Sequence, residues 1–93
     1  MNGIVYFIEF KPPLGNKRHA ARFYCGWTRS ENTLNARLDY HSMGFGAAIT
    51  AYAAKHNVKM TCIHTEPGSR ADERRIKRQK NHARYLRQKG IIK

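Results

Sequence analysis

The carboxylate of Glu73 lies in a segment, Arg70 to Lys80, that is otherwise rich in cationic side chains. The whole chain carries 18 Lys and Arg residues against 6 Asp and Glu residues. A surface that attracts polyanions gains nothing from a carboxylate unless that carboxylate pairs with a neighbour or binds a cation of its own. A divalent metal ion held by Glu73 would sit against the phosphates that the surrounding cations attract. This chemistry would distinguish a phosphodiester hydrolase from a protein that only binds nucleic acid.

Two further side chains, Arg37 and His41, have chemistry that suits the same reaction. Hydrolysis of a phosphodiester needs an activated water, stabilisation of the charge on phosphorus and help for the leaving oxygen. Arg37 offers planar, permanently charged donors to a phosphate oxygen, and His41 can move protons near neutral pH. Because they are four residues apart on a predicted helix, we expect them to emerge together at the border of its buried side.

Size and charge limit the classes of protein that this chain can belong to. Ninety-three residues predict one domain with one modest core. The net charge of +12 and the pI near 10.3 predict a polyanionic partner. No apolar run approaches the roughly 18 residues of a membrane-spanning helix, and Cys25 and Cys62 are too few for a disulfide framework or a four-cysteine zinc site. We therefore expect an intracellular protein with reduced thiols and no membrane partner.

The strands and helices that would position these residues are predicted to form an α+β fold, with a three-stranded antiparallel sheet and helices packed around it. Strand composition is found at Gly3–Phe10, Ala21–Trp27 and Val58–Thr65. The first two strands read as a hairpin. Its long loop, Lys11–Ala20, contains prolines and glycine, which break regular structure.

Apolar periodicity predicts three helices. The first covers about Thr33 to Ser42, capped by Ser30 or Asn32, and buries two leucines against the sheet. The second runs from Phe45 to near Asn57, with Tyr52 in its buried stripe. The third starts after Ser69 and continues beyond Arg84, with Ile76, Ala83 and Leu86 as its thin apolar side. Glu73 precedes Ile76 by three residues, so it should face the sheet.

Together these motifs resemble the GIY-YIG nuclease family. Gly3-Ile4-Val5-Tyr6 is similar to the family's first motif and Tyr24-Cys25-Gly26 to its second. Arg37 and His41 match its arginine and histidine on the first helix, and Glu73 matches its metal-binding glutamate. The resemblance runs from residue 3 to residue 80, in the order that the family has, and predicts that residues 1–93 form a single stand-alone catalytic domain.

Two positions depart from the family pattern, and a third is matched by residue type alone. Val5 is an extra residue within the first motif, and Cys25 replaces the usual aliphatic residue of the second. Many members also carry an asparagine late in the domain, and Asn81 is the one asparagine after Glu73 in this sequence. In the family this asparagine is connected with positioning the substrate near the metal, and Asn81 is the residue that would fill that role here.

The resemblance implies a metal-dependent endonuclease that hydrolyses DNA phosphodiesters with Mg²⁺ or Mn²⁺ bound at Glu73. It assigns Tyr6 to general base catalysis or water positioning, with Tyr24 and His41 assisting. The sequence leaves open which of these three takes the proton. An unperturbed tyrosine has a pKa of about 10, so we expect Arg37, the metal and the positive field to lower the pKa of Tyr6.

The basic residues around these motifs are predicted to contact DNA. They lie in the hairpin loop and on the last helix: Lys17, Arg18, Arg74, Lys77, Arg78 and Lys80. A chain with one site could nick one strand, or form a homodimer that cuts both. Family members also commonly obtain specificity from a separate DNA-binding partner or module. The expected compartment is the cytoplasm or the nucleoid.

Each assignment has a structural alternative. Glu73 could only pair with Lys77, since Glu and Lys at this spacing stabilise a helix by about 0.2–0.5 kcal/mol. Tyr6 and Tyr24 could be cross-strand core aromatics. The whole chain could then be a non-catalytic basic DNA- or RNA-binding module on the same fold, or a ribosome-associated basic protein.

Overall fold

Three strands and four helices make up the described part of the chain in the computed structural model, which covers residues 3–15, 21–79 and 81–93. Their order is β1 (Gly3–Leu14), β2 (Ala21–Thr28), α1 (Glu31–Ser42), α2 (Ala48–Lys55), β3 (Lys59–Gly68), α3 (Arg70–Arg78) and α4 (His82–Gln88). None of the helices in these ranges has the length and apolar character that crossing a membrane requires.

β1 is the centre of the sheet, with β2 on one side and β3 on the other, both antiparallel to it. The predicted α+β fold with a three-stranded antiparallel sheet is confirmed. Val5 and Phe7 are fully buried on one face of β1, while Tyr6 and Ile8 are buried on the other. A strand stretch that is covered on both faces is apolar at successive positions, which accounts for the uninterrupted apolar run from Ile4 to Ile8 in β1.

Helices cover both faces of this sheet. Ile76 of α3 and Leu86 of α4 pack against Val5 and Phe7, and both are almost wholly buried. The opposite face is covered by α1 and α2, and Ala53 of α2 is fully buried there. Each large apolar side chain buried in this way stabilises the fold by about 1.5–3 kcal/mol.

The first two helices differ from the prediction mainly in α2. α1 follows the predicted cap Ser30. However, Tyr52 of α2 is 52% exposed, so its predicted place in the core is wrong. Gly46 has a φ of +89°, which is not helical, so α2 begins after it and Phe45 lies outside the helix. The Phe45 ring instead packs at a tilt against that of Tyr40, with ring centroids 5.2 Å apart. α2 consequently turns Thr50 and Ala53 inward instead of Tyr52.

The predicted long last helix is wrong, because the chain forms α3 and α4 instead. Ser69 caps α3 as predicted: its hydroxyl accepts a hydrogen bond from the Asp72 backbone N–H at 3.2 Å. Asn81 then caps α4, its side-chain oxygen accepting from the Arg84 N–H at 2.9 Å. Ile76 and Leu86 are ten positions apart, so on one straight helix they would lie about 15 Å apart along its axis and about 80° apart around it. The break allows both to reach one core.

Strand ends also extend further than the composition indicates. The prolines were predicted to begin the loop, but β1 continues to Leu14, and Lys11 pairs with Lys59 of β3. Pairing to β3 supports the strand as far as Lys11, and Leu14 pairs with Ala21 of β2 after a register shift between Glu9 and Leu14. The predicted DNA contacts Lys17, Arg18 and Lys80 lie outside the described residues.

Candidate active site

Tyr6 reaches the edge of the sheet because the neighbouring strand has a glycine opposite it. Tyr6 pairs with Gly26 across β1 and β2. A Cβ at Gly26 would collide with the ring and the hydroxyl of Tyr6. Glycine at this position therefore lets the phenol lie directly over the β2 backbone.

Replacing Gly26 with alanine is expected to destabilise the protein by about 1–3 kcal/mol, the usual effect of overpacking, and to displace Tyr6. Urea unfolding measures the change. The matched background is Tyr6→Ala, which removes the colliding ring. There the added methyl should cost much less, and an equal cost in both backgrounds would show that Gly26 serves something other than Tyr6.

A chain of hydrogen bonds continues from Tyr6 into the protein through His41. The Tyr6 hydroxyl lies 2.8 Å from Nε2 of His41, and Nδ1 of His41 lies 2.9 Å from Oγ1 of Thr50. The Thr50 hydroxyl donates to the Ala47 carbonyl at 2.9 Å, so towards His41 it accepts. Nδ1 therefore carries the proton in neutral His41, and Nε2 accepts the hydrogen bond from Tyr6.

His41 is only 1% exposed, so the expected position at the border of the α1 stripe is wrong. Its ring faces inward because Gly46 leaves space for it: a Cβ there would lie 2.8 Å from both Cε1 and Nδ1 of His41. Burial lowers the pKa of His41, and the nearby Arg37 charge lowers it further. Neutral His41, the form that can accept a proton, is thus the stable form near neutral pH.

The expectation of a lowered pKa at Tyr6 is wrong for the protein itself. Burial raises the pKa of Tyr6, and this effect exceeds the lowering by the hydrogen bond and charge of Arg37. Burial, together with Tyr6 and Glu73, raises the pKa of Tyr24 to about 12. Neither tyrosine is ionised near neutral pH, so Tyr6 can act as a base only if its own proton passes to His41 at the same time.

Tyr24 completes an aromatic cluster around His41. Its ring centroid lies 5.2 Å from that of His41, edge to face, and 6.4 Å from that of Tyr6. On its outer side, Nζ of Lys77 lies 5.1 Å from the Tyr24 centroid. Since Tyr24 belongs to the α1–α2 face and Lys77 to α3, the site lies around the β2 edge, where elements from both faces meet.

Glu73 enters the same region from α3. Its side chain is 17% exposed, as expected for a residue facing the sheet, and Oε2 lies 3.7 Å from Nζ of Lys77. Its negative charge raises the pKa values of Tyr6 and Tyr24, which places it near both. The alternative pairing with Lys77 is therefore present, but at a distance longer than a hydrogen bond.

Arg37 has an unusual environment for a helix cation. Its Nε is shielded from solvent and has no hydrogen-bond partner within the described ranges. Its guanidinium carbon lies 5.7 Å from the centre of the Tyr40 ring, and its charge affects both Tyr6 and His41. A buried donor without a partner calls for an explanation, and an anion bound beside Tyr6 would supply one.

Metal binding can be judged from the donors present. Across residues 3–15, 21–79 and 81–93, no group of three or more His, Cys, Asp or Glu side chains could share a metal ion. Structural and catalytic zinc sites need three or four protein ligands, so they do not fit. A lone carboxylate such as Glu73 fits Mg²⁺, which keeps several waters and uses one or two carboxylates plus substrate phosphates.

No family model, curated protein or solved structure matches this chain.

The structure brings Tyr6, Tyr24, Arg37, His41 and Glu73 together around the β2 edge of the sheet. Of the predicted DNA contacts, Lys77 reaches the cluster, whereas Arg74 and Arg78 are exposed elsewhere on α3. Asn81 serves as the α4 cap, beside a cleft of about 410 Å³ lined by Gln79, Arg84 and Gln88.

Sequence reasoning missed Thr50, which fixes the tautomer of His41. The signal that could have found it is the glycine pair Gly44 and Gly46 after His41, both with positive φ. Two such glycines bring the following helix back against the preceding one. The first inward positions of that helix are then candidate partners for the histidine.

Proposed function

We propose that this chain is a metal-dependent endonuclease of the GIY-YIG type that hydrolyses DNA phosphodiesters. The observation that carries the proposal is the hydrogen-bonded chain from Tyr6 through His41 to Thr50, beside the unpaired Nε of Arg37. A core aromatic pair alone would need neither a buried histidine of fixed tautomer nor an arginine whose shielded Nε has no hydrogen-bond partner within the described residues.

The residues act on one phosphodiester. Arg37 donates hydrogen bonds to a nonbridging phosphate oxygen. Tyr6 takes a proton from the attacking water as it passes its own proton to Nε2 of His41, while the oxygen of that water forms the new bond to phosphorus and the bond to the leaving oxygen breaks. The negative charge of the phosphate offsets the lowering of the His41 pKa by Arg37 and so favours proton transfer from Tyr6 to His41.

Glu73 is the residue that would hold the divalent cation, Mg²⁺ or Mn²⁺. When bound, that ion supplies positive charge to the phosphate and its leaving oxygen. Lys77 lies beside Glu73 and over Tyr24, where its ammonium can contact a phosphate of the same strand.

DNA is the partner that the charge of +12 favours, and phosphate contacts would make binding strongly dependent on salt. Arg74 and Arg78, exposed on α3, would extend the contact. A homodimer would cut both strands, and a separate partner would supply specificity. The unpaired thiols Cys25 and Cys62 agree with an intracellular role, in the cytoplasm or on the nucleoid.

The second candidate is a non-catalytic nucleic-acid-binding module, favoured by the ion pair between Glu73 and Lys77. The test is incubation of end-labelled duplex and branched DNA with the purified protein in Mg²⁺, in Mn²⁺ and in EDTA. We expect cleavage with either metal and none in EDTA. Binding without cleavage of any substrate in any metal would favour the binding module.

A further inference from the structure

An arginine-lined cleft of about 300 Å³ opens beside the candidate active site. Its walls come from the end of β2, the start of α1 and the start of α3: Trp27, Thr28, Arg29, Thr33, Arg37 and Arg70. Arg37 belongs both to this cleft and to the cluster around Tyr6, so the two regions are continuous. The lining contains no carboxylate within the described residues.

The walls of this cleft are fixed by contacts. Thr28 and Thr33 share a hydrogen bond of 2.6 Å between their hydroxyls, which ties β2 to α1. Trp27 donates from Nε1 to the Gly68 carbonyl at 3.0 Å. A Cβ at Gly3 would collide with the Trp27 ring, so the first glycine of the chain makes room for that ring.

Trp27 in turn holds Arg70. The guanidinium carbon of Arg70 lies 4.8 Å from the Trp27 ring centre, in a cation–π contact. Such a contact uses the face of the guanidinium and leaves its edge N–H groups available. The face of the Trp27 ring is therefore occupied by Arg70, so it holds this guanidinium and is not available for stacking on a nucleic-acid base.

Among the described residues, no carboxylate pairs with an arginine of the cleft. In the described parts of the chain, the ion pairs involve other cations: Lys11, His64, Arg75 and Lys77. Three guanidiniums in one open cleft repel one another unless an anion binds between them. Planar guanidinium edges match the oxygens of a phosphate.

We propose that Arg29 and Arg70 bind the phosphate adjacent to the scissile one, while Arg37 binds the scissile phosphate. The inference rests on the proposed function and extends it. The cleft then fixes the path of the cut strand, and neighbouring phosphates are held at two defined points. Because these arginines would contact phosphates and not bases, they would position the strand without selecting its sequence.

Trp27 provides a test that needs no cleavage, because it is the single tryptophan of the chain. Its fluorescence is titrated with a short single-stranded oligonucleotide in EDTA. We expect Arg29→Ala to weaken binding about tenfold, the effect of losing one charge-assisted contact. The matched control is Arg22→Ala, an equally exposed arginine at the opposite end of β2, whose guanidinium carbon lies 4.9 Å from the centre of the Phe23 ring. Equal effects of the two substitutions would overturn the proposal.

A second measurement locates the phosphate. Single methylphosphonate linkages, which remove one negative charge, are placed on either side of the cut position. Neutralising one flanking phosphate should raise KM in the wild type and have little further effect in Arg29→Ala/Arg70→Ala. If the methylphosphonate raises KM as much in Arg29→Ala/Arg70→Ala as in the wild type, the proposed pairing of these arginines with that phosphate is overturned. If the protein cuts no substrate, the proposed function fails, and the fluorescence titration still decides whether the cleft binds phosphate.

Discussion

Glu73→Gln is expected to abolish cleavage, with a loss on the order of 10²–10³-fold or more, the range found when one charge-stabilising group is removed from a transition state. Glutamine keeps the shape of the side chain but lacks the charge that would bind a divalent cation. DNA binding should stay equal or become tighter, because a negative charge leaves a phosphate-binding region. Single-turnover cleavage in Mg²⁺ and a binding titration in EDTA measure the two effects separately.

Asp72→Asn is the matched control, because it removes a carboxylate from the position next to Glu73 on the same helix. Asp72 caps α3 by accepting from the Ser69 backbone N–H at 2.8 Å and pairs with Arg75 at 3.2 Å. This substitution should lower stability, because it weakens the capping box of α3, and leave cleavage of the folded protein unchanged.

Lys77→Gln separates the two interpretations of Glu73. If the carboxylate only stabilises α3 through the 3.7 Å pair, either substitution should have the same small effect on unfolding, a few tenths of a kcal/mol, and cleavage should persist in both. Cleavage by Glu73→Gln at the wild-type rate would contradict the metal-ligand assignment. Loss of cleavage in Glu73→Gln with retained cleavage in Lys77→Gln would support it.

The sheet and the convergence of the site could be predicted because both depend on local patterns. Strand β1 is apolar at successive positions, which requires cover on both faces, and the only remaining elements that can supply it are helices. The spacing of Arg37 and His41 puts them on one side of α1, and that of Glu73 and Ile76 puts the carboxylate toward the sheet. These relations need no knowledge of distant contacts.

The errors have a common cause, since each concerns packing or burial that the spacing of apolar residues does not give. Tyr52 has the right spacing for a core residue, but the turn at Gly46 rotates α2 and places Thr50 inside. The same rotation brings Thr50 against His41. Likewise, the charge pattern predicts a lower pKa for Tyr6, whereas the amount of burial, which sequence does not give, raises it.

Tyr6→Phe tests the proton transfer to His41. It removes a single oxygen, and we expect kcat/KM to fall roughly 10²–10⁴-fold, the contribution of a general base. Nε2 of buried His41 loses its partner at 2.8 Å, which should also lower the free energy of unfolding by about 1–3 kcal/mol. Tyr24→Phe is the matched control: it keeps the ring contact with His41 at 5.2 Å and should reduce kcat/KM far less. Equal losses in the two variants would contradict the role of Tyr6.

The pH dependence of cleavage identifies the group that receives the proton. His41 accepts a proton only when neutral, so the rate should rise with pH through the His41 pKa and then level off. Burial and the Arg37 charge hold that pKa below 6.5, so the acid limb of kcat/KM should lie below pH 6.5. In Arg37→Gln the reaction should be slower and its acid limb should lie at higher pH, because the charge that lowers the His41 pKa has been removed. Profiles between about pH 5 and about pH 8, normalised for each variant, give the comparison. A limb above pH 6.5 in the wild type, or one that does not move in Arg37→Gln, would mean that a group other than His41 takes the proton from Tyr6.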